Sequence, residues 1–359
     1  MKALRAWVRA VDASDAPTLV RLHRELWIDH DARGGMPASD DDDVWLGYGD
    51  LLASQLVGRA GRKRPSEVFD GRTGHLVAEH HGAPVGQVEI ALDRFGYADK
   101  TPWIAELRSL IVSQRARGLG LGEELVRTAA IESRARVGAA TLIVAEVLAR
   151  NEALRFYERL GFRTLERMVA LAVAPRPSGR YRVAAAQPRD AAELSALDQE
   201  SRARRHALGD IRFDAPAQGL AVDLVRAISD GIQLDLAARG IERGRIREEL
   251  VVRDVRGVLC GSAYLVAQPL GAPFAAVTRA EVARLSIVAR HPNPDEVALA
   301  AVAEAFERAQ EVGASQLLVR APYLDPIGAL LSSLPGARPF SWILAANART
   351  VAGFLSRDR

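Results

Sequence analysis

The chain has 359 residues, which is longer than one ordinary domain and predicts two. Hydrophobic residues make up 48% and charged residues 26%, the usual balance of a globular protein that folds in water. The 48 Lys and Arg residues nearly match the 45 Asp and Glu residues, and the two signs are interspersed, which argues against nucleic acid as a partner. The single cysteine, Cys260, excludes an internal disulfide and a cysteine-rich zinc site.

The sequence contains no segment that predicts a membrane span or an export signal. No apolar run is long enough to cross a bilayer, and the N-terminus lacks the apolar stretch of a signal peptide. We therefore expect a cytoplasmic protein without a membrane partner. Arginine and alanine are abundant, whereas lysine occurs only at Lys2, Lys63 and Lys100, a composition typical of GC-rich bacterial genes.

The first elements along the chain are a short strand, a turn and an amphipathic helix, in VRAVDASDAPTLVRL. The segment that follows, ELWIDHDARGGMPASDDDDVWLGYGDLL, combines carboxylates with aromatic side chains. This combination suits a cationic ligand, through Coulomb attraction and cation–π contacts. The alternative is a solvated loop in which an aspartate caps the next helix.

A glycine-rich loop is the most informative motif of the first half. After a β-hairpin in HLVAEHHGAPVGQVEIAL, the strand AELRSLIVS leads into QRARGLGLG and then into a helix. Gly118, Gly120 and Gly122 thus stand at a strand-to-helix junction, where unpaired backbone N–H groups and the helix dipole attract anions. With Arg115 and Arg117 they predict a phosphate or pyrophosphate site.

Two common phosphate-binding motifs do not fit this loop. A Walker loop needs Gly-Lys-Ser/Thr, and a dinucleotide fingerprint needs a third glycine where Glu123 stands. A glycine-rich loop without a ligand is the remaining alternative.

The first half ends with a strand in ATLIVAEV and an amphipathic helix in ARNEALRFYERLGF. The next segment, APRPSGR, is rich in proline and glycine and predicts a linker. We place domains at residues 1–174 and 181–359, joined by residues 175–180.

The second half repeats the pattern of the first at a constant spacing of 175 residues. Four pairs of landmarks share it: Asp15 and Asp190, Gly86 and Gly261, Leu142 and Leu317, and Gly161 and Gly336. Each copy alternates strands with helices, which predicts an α/β class with a mixed sheet.

The pattern Arg/Gln-x-x-Gly-x-Gly in RARGLG, followed about thirty residues later by AEVLARNEALRFYERLGF, resembles the GNAT superfamily of acyl-CoA-dependent N-acyltransferases. The resemblance covers most of residues 1–172. It implies an acetyl-CoA-dependent N-acetyltransferase that needs no metal. It also implies two tandem GNAT-like domains, each a mostly antiparallel sheet with a splayed central strand pair flanked by helices.

In this family the glycine loop binds the CoA pyrophosphate, and the pantetheine arm pairs with the strand before it. An asparagine contacts the CoA arm, and a tyrosine faces the thioester sulfur as general acid. By position, the resemblance implies these acetyl-CoA-binding residues: Leu110, Ile111, Val112, Arg115, Arg117, Gly118, Leu119, Gly120, Gly122, Asn151 and Tyr157.

Tyr157 is the predicted general acid, because a tyrosine hydroxyl can protonate a departing thiolate. Its alternative role is that of a core aromatic residue. Glu106 is the predicted base, directly or through water, and a simple ion pair with an arginine is its alternative. Strand alternation predicts that Glu106, Arg108 and Leu110 share one face, opposite Leu107, Ser109 and Ile111.

The predicted acceptor-binding residues are Trp27, Asp29, Asp31 and Glu146, of which Glu146 is also the second candidate for the base. The predicted reaction is direct transfer of an acetyl group to a small cationic amine, such as an aminoglycoside-like antibiotic or a biosynthetic amine, by a monomer or homodimer. The alternatives are a non-catalytic acyl-CoA-binding regulator and a protein or peptide N-acetyltransferase.

The second copy departs from the motif, since RHPNPDE stands where the first has the glycine loop. Prolines remove N–H donors, and carboxylates repel phosphate. Pro326 occupies the position of Asn151, and Ser332 that of Tyr157. We therefore predict that the second domain is degenerate and supports the first.

Overall fold

The structure is a computed structural model that describes residues 7–60, 68–94, 102–138, 141–213, 221–238 and 244–353. The N-terminal half contains β1 (Trp7–Ala10), α1 (Ala16–Ala32), α2 (Asp42–Ala60), β2 (Phe69–Asp70), β3 (Thr73–His80), β4 (Ala83–Arg94), β5 (Trp103–Val112), α3 (Leu121–Val137), β6 (Thr141–Leu148), α4 (Ala153–Arg159) and β7 (Arg163–Leu171).

The C-terminal half repeats this order after a connection at residues 172–181. It contains β8 (Arg182–Ala185), α5 (Ala191–Ala207), α6 (Ala221–Ala238), β9 (Ile246–Arg253), β10 (Leu259–Pro269), β11 (Thr278–Ile287), α7 (Pro294–Glu311), β12 (Leu317–Pro322), α8 (Pro326–Ser333), β13 (Ala337–Asn347) and α9 (Ala348–Gly353).

Thirteen strands of the described residues form one sheet, in the order β1-β3-β4-β5-β6-β13-β7-β12-β11-β10-β9-β8, with β2 beside β3. Only β5–β6 and β11–β12 are parallel among the strand pairs of these residues. Helices cover both faces: in the N-terminal half α1 lies on one face and α3 on the other. The sequence prediction of two tandem, mostly antiparallel units in an α/β protein is confirmed.

The two halves exchange their last strands at the centre of the sheet. β13, from the C-terminal half, lies between β6 and β7, and β7 lies between β13 and β12. Leu344 of β13 and Val351 of α9 are buried in the core formed around α3. The domain boundaries proposed from sequence stay a prediction, but the core of each half contains residues of the other.

The internal repeat has a physical basis in its turns. The Oδ2 atom of Asp15 accepts a hydrogen bond from the backbone N of Asp12 at 2.7 Å, and Asp190 does the same for Gln187 at 2.8 Å. Asp12 and Gln187 share the same backbone angles, φ −114° and ψ 157°. Each aspartate thereby fixes the start of the first helix of its half.

The repeated glycines are required by close contact between strands. A Cβ atom at Gly86 would lie 2.9 Å from the carbonyl oxygen of Ile111, and one at Gly261 would lie 2.8 Å from that of Ser286. Only glycine permits β4 and β10 to approach their neighbours so closely.

One landmark of the repeat is displaced by a residue. Ala105 of β5 pairs with Ile143 of β6, whereas Ala280 of β11 pairs with Leu317 of β12. The structural counterpart of Leu317 is therefore Ile143, and the match with Leu142 made from sequence was wrong. The chain between the paired residues is thus one residue shorter in the second copy, 37 positions from Ala280 to Leu317 against 38 from Ala105 to Ile143.

Candidate active site

The strands β5 and β6 diverge midway along the sheet. Their pairing runs from Trp103 opposite Thr141 to Leu107 opposite Ala145, and no further pair follows in the described residues of the two strands. Beyond Leu107, one edge of β5 therefore presents backbone groups to a cleft. An extended ligand can hydrogen-bond to such an edge as an additional strand would.

A β-bulge lies in β5 at the point of divergence. Gln87 of β4 pairs with Ile111 and Glu89 pairs with Arg108, so β5 has one extra residue there. Ser109, inside the bulge, has φ +50°, a left-handed conformation that is uncommon for a residue other than glycine. The bulge turns backbone amides away from the regular ladder.

The bulge also changes which side chains of β5 share a face. Leu110 packs against the core that contains Leu107, whereas Ile111 packs against Leu22 and Leu26 of α1. The strict alternation predicted from sequence was wrong beyond Arg108, because the extra residue shifts the period by one.

The glycine loop joins β5 to α3 in left-handed conformations. Gly118 has φ +81° and Gly120, the N-cap of α3, has φ +76°. A Cβ atom at either glycine would meet no described atom within 4 Å. Glycine is thus favoured there by backbone conformation, and the space above the loop is open. Gly122 lies inside α3, and a Cβ atom added to it would lie 3.5 Å from the Phe156 ring.

The loop has the chemistry of an anion site. No side chain caps the first turn of α3 in the described residues, so its N–H groups face the open space. Arg115, Arg117 and Leu119 are exposed beside them. Arg117 Nε donates to the carbonyl oxygen of Val112 at 3.2 Å, which holds this guanidinium near the end of β5.

Glu25 is a site residue that sequence reasoning missed. Its Oε1 accepts a hydrogen bond from the backbone N of Gln114 at 3.1 Å and so ties α1 to the glycine loop. Glu200 makes the equivalent bond to Ala289 at 2.9 Å in the C-terminal half. The spacing of this pair equals that of the repeat, a signal that could have identified it.

Asn151 and Tyr157 lie on the other side of the cleft, at and after the start of α4. The Oδ1 atom of Asn151 accepts from the backbone N of Ala153 at 2.9 Å, which leaves its amide N–H groups available. Tyr157 is buried between Phe156 and Phe162, with ring centroids 5.1 Å away in both cases.

Burial raises the pKa of Tyr157 above its ordinary value, so the hydroxyl stays protonated at neutral pH. Among the described residues, none forms a hydrogen bond with this hydroxyl. The residue is therefore both a core aromatic side chain and a hydrogen-bond donor without a protein partner.

Glu106 and Glu146 occupy the sheet face opposite α3. Glu106 accepts from Arg108 Nη2 at 2.6 Å, the arginine pairing that sequence analysis gave as its alternative. Glu146 accepts from Ser341 Oγ at 2.8 Å and lies 3.7 Å from Arg279 Nη2. Both partners of Glu146 come from the C-terminal half, so the two halves share this region.

The predicted acceptor residues of α1 do not all face one space. Trp27 packs edge-on against Phe274 of the C-terminal half at 4.7 Å, while Asp29 pairs with Arg33 at 2.8 Å and Asp31 is exposed. A backbone bridge between Ala38 and Phe274 closes this side. Trp27 and Glu146 thus adjoin the C-terminal half, and Asp29 is occupied by an ion pair.

A buried polar cluster beneath α1 and α2 was not predicted. His23 Nδ1 lies 2.5 Å from the Tyr48 hydroxyl, the His23 ring stacks on that of His75, and His75 Nε2 lies 3.2 Å from Gln87 Oε1. These side chains are separated along the sequence, so no local pattern indicated their contact. Burial lowers the pKa of His23 to about 3, and the neighbouring His75 adds to this effect.

The His23 cluster predicts a loss of stability in mild acid. His23 is neutral in the folded state but takes up a proton near pH 6.5 when unfolded, so unfolding is favoured as pH falls below that value. The free energy of unfolding should fall by up to about 1.4 kcal/mol per pH unit from this group. Urea unfolding at pH 7, 6 and 5 gives the free energy of unfolding at each pH, and this free energy should change less with pH in His23→Gln than in wild type. In the exposed-site control His81→Asn it should change with pH as in wild type. The same pH dependence in His23→Gln as in wild type would refute this explanation.

The equivalent loop of the C-terminal half is organised differently. Pro294 is the first residue of α7, and Glu296 accepts a hydrogen bond from the backbone N of Ser178 at 2.9 Å. Tyr181 packs edge-on against His291 with ring centroids 5.6 Å apart. The connection between the halves therefore packs against the C-terminal counterpart of the glycine loop. In the N-terminal half the space above the glycine loop is open.

Two negative findings concern the described part of the chain. No group of three His, Cys, Asp or Glu side chains there could hold a metal ion. None of its helices is both long and apolar enough to span a membrane.

Comparisons with known proteins agree on the family and the fold. A sequence model of the Acetyltransferase (GNAT) family matches residues 19–162. Among curated protein sequences the comparison finds no match. A tandem GNAT protein from the clavulanic acid biosynthesis pathway is 14% identical with a TM-score of 0.51, over 96% of this chain and 99% of that one.

Two further solved structures are similar over 96% of this chain, both at 14% identity. A GCN5-related N-acetyltransferase from Sphaerobacter thermophilus has a TM-score of 0.53 and is covered over 96% of its length. A glucosamine N-acetyltransferase region of a fungal multi-domain β-N-acetylglucosaminidase has a TM-score of 0.54, with 38% of that chain covered. At this identity the likeness concerns the fold.

Proposed function

The N-terminal half of the chain belongs to the GNAT family of acetyltransferases, and we propose that it transfers an acetyl group from acetyl-CoA to a primary amine of a small cationic acceptor. The observation that carries the proposal is the open, left-handed glycine loop at the end of a strand that diverges from its neighbour. The protein is an acyltransferase by family, and acetyl-CoA is the acyl donor that the family uses.

The residues around the cleft fit coenzyme A. The N–H groups after Gly118 and Gly120, with the exposed Arg115 and Arg117, would hold the pyrophosphate. The unpaired edge of β5 beyond Leu107 would pair with the amides of the pantetheine arm. The amide group of Asn151 is available to the same arm from the other side.

Three groups of this chain suit thioester aminolysis. Backbone amides at the Ser109 bulge would donate to the acyl oxygen as negative charge develops on it. The neutral Tyr157 hydroxyl would donate its proton to the leaving sulfur. Glu106, directly or through water, would take a proton from the amine once Arg108 moves aside.

Transfer is proposed to be direct, without an acyl-enzyme. The single cysteine, Cys260, lies buried in β10 of the C-terminal half, so no thiol of the N-terminal half can accept the acetyl group. Amine and acetyl-CoA would therefore be bound at the same time.

A small cationic amine is favoured as acceptor by the groups beside the cleft. Glu106, Glu146 and Trp27 lie on the face covered by α1, where the Ala38–Phe274 bridge restricts access. Carboxylates and an indole ring attract an ammonium group. We propose an aminoglycoside-like or biosynthetic amine, acetylated in the cytoplasm by a monomer or homodimer. A peptide acceptor and a non-catalytic acyl-CoA-binding regulator are the alternatives.

A thiol-release assay tests this proposal. The purified full chain should release free thiol from acetyl-CoA when a polyamine or an amino sugar is added, and release should depend on both substrates. Turnover only with peptide amines would favour a peptide acetyltransferase. Binding of coenzyme A without turnover on any amine of the panel would favour the regulator and reject the enzyme.

A further inference from the structure

The C-terminal half contains a cavity in the place that corresponds to the acceptor side of the N-terminal half. The helices α1 and α5 have equal lengths and begin after equivalent aspartates, so their positions correspond one to one. Arg202 and Arg205 of α5 thus stand where α1 has Trp27 and His30.

The strands beneath α5 also carry different residues from their counterparts in the N-terminal half. The strand pairing places Arg320 of β12 at the position of Glu146 in β6. Tyr264 stands beside the bulge of β11, where Glu89 stands beside that of β5. Trp27, His30 and Glu146 of the first half thus have arginines as counterparts, whereas Glu106 has a carboxylate counterpart, Glu281.

The cavity has a volume of about 380 Å³ and lies between α5, the sheet and the short helix Ile211–Phe213. Its charged lining consists of five arginines and two carboxylates: Arg202, Arg205, Arg212, Arg284, Arg320, Glu166 and Asp198. Cations therefore outnumber anions at its wall.

Further carboxylates form ion pairs with these arginines but do not line the cavity. Arg212 bonds Asp210 at 2.8 Å, and Arg284 bonds Glu249 at 2.5 Å, yet neither carboxylate lines the space. Arg320 is held in the same way by Glu281 through its Nε atom. Such pairs fix guanidinium groups in place before any ligand arrives.

Several guanidinium donors remain for a ligand. Arg202 bonds Asp198 through Nε alone, and Arg320 bonds Glu281 through Nε alone. In the described part of the structure, the Nη atoms of both arginines have no hydrogen-bond acceptor. Two terminal nitrogens of a guanidinium group match the two oxygens of a carboxylate.

Aromatic rings supply an apolar wall next to these donors. The guanidinium carbons of Arg202 and Arg205 lie 5.6 and 5.0 Å from the centre of the Phe213 ring. On the sheet side, the guanidinium carbon of Arg284 lies 5.9 Å from the centre of the Tyr264 ring. A ligand with a flat apolar body and one anionic group would contact both kinds of surface.

The strand β7, which the N-terminal half contributes to the centre of the sheet, also supplies a residue to the cavity wall. Glu166 comes from β7 of the N-terminal half and bonds both Arg205 and Arg212. Burial alone would raise the pKa of Glu166, but Arg212 and Arg205 outweigh it and hold the pKa well below its usual range. Glu166 therefore stays ionised throughout the neutral range.

We propose that this cavity binds a small organic carboxylate, with the carboxylate on the terminal nitrogens of Arg202 and Arg320 and the apolar body against Phe213. The site lies beside the proposed acceptor region, because Glu166 of its wall and Glu146 both pair with Ile343 of β13. The proposal itself does not depend on acyl transfer. The site would make the C-terminal half a ligand-binding unit as well as a structural partner.

Calorimetry of the full chain at constant ionic strength tests the proposal, with benzoate, its uncharged analogue benzamide, and inorganic phosphate as probes. Benzoate should bind saturably at one site per chain, and benzamide and phosphate should bind at least tenfold more weakly. Arg202→Gln keeps an amide for Asp198 but removes the charge, and should weaken benzoate binding about tenfold to a hundredfold. The exposed control Arg256→Gln should bind benzoate as wild type does.

Each other outcome would overturn the site. Absence of saturable benzoate binding, or equal binding of benzamide, would reject a carboxylate site, and preferential binding of phosphate would reject the apolar wall. Equal weakening in Arg202→Gln and Arg256→Gln would indicate nonspecific attraction to surface charge. If Arg202→Gln fails to fold, as judged by thermal unfolding, Arg320→Gln provides the same comparison.

Discussion

We expect a chain truncated after residue 336 to lose the fold of its N-terminal half. The truncation removes only β13, α9 and the residues after them. β13 supplies the strand between β6 and β7, and Leu344, Ala346, Ala348 and Val351 are buried in the core around α3. Without them β6 has an unpaired edge and α3 an uncovered face, and both are costly. Residues 1–180 alone should likewise show no cooperative thermal unfolding by circular dichroism.

A point variant makes the same test in the full chain. Leu344→Ala removes a fully buried side chain and should lower the free energy of unfolding by about 2 to 5 kcal/mol. Leu324→Ala, at a leucine that is 64% exposed, should change it by less than about 0.5 kcal/mol. A cooperatively folded fragment 1–180 that binds coenzyme A would show that the exchanged strand is dispensable.

Tyr157→Phe is expected to reduce turnover by about a hundredfold or more, because it removes the proposed general acid. The hydroxyl has no hydrogen-bond partner among the described residues, so the ring should remain packed against Phe156 and Phe162. The thermal midpoint and the affinity for coenzyme A should therefore stay close to those of wild type. Steady-state thiol release, with Tyr181→Phe as control, measures the effect.

The pH profile gives an independent check on this assignment. Burial raises the pKa of Tyr157, and the acid keeps its proton until pH exceeds that raised value. Turnover of wild type should therefore not fall between pH 7 and 9 through loss of this proton. Wild-type turnover in Tyr157→Phe would remove the tyrosine from the mechanism.

The features predictable from sequence are those encoded by short segments. Asp15 and Asp190 each accept a hydrogen bond from the backbone N three residues earlier and so fix the turn before a helix. Gly118 and Gly120 adopt the left-handed conformations that glycine favours. The repeat, the strand-to-helix junction and the position of Asn151 before α4 follow from such local signals. They sufficed for the tandem fold.

The features not predicted depend on contacts between distant segments. The sequence ARPFSWILAAN predicts a strand, but nothing local indicates that β13 pairs with β6 and β7. Ser109 adopts φ +50° because β4 and β5 pair out of step, although its own residue type does not favour that conformation. The pairing of Glu146 with Arg279 likewise joins two halves of the chain.

The central claim is that the glycine loop binds a diphosphate, and calorimetric titration of the full chain with coenzyme A tests it most directly. Gly120 and Gly71 both have positive φ and open space around a Cβ, but only Gly120 is in the loop, so Gly120→Ala and Gly71→Ala carry matched backbone strain. We predict one site per chain, about tenfold or greater weakening in Gly120→Ala, and wild-type affinity in Gly71→Ala. Absence of coenzyme A binding in wild type, or equal affinity in Gly120→Ala and wild type, would contradict the account.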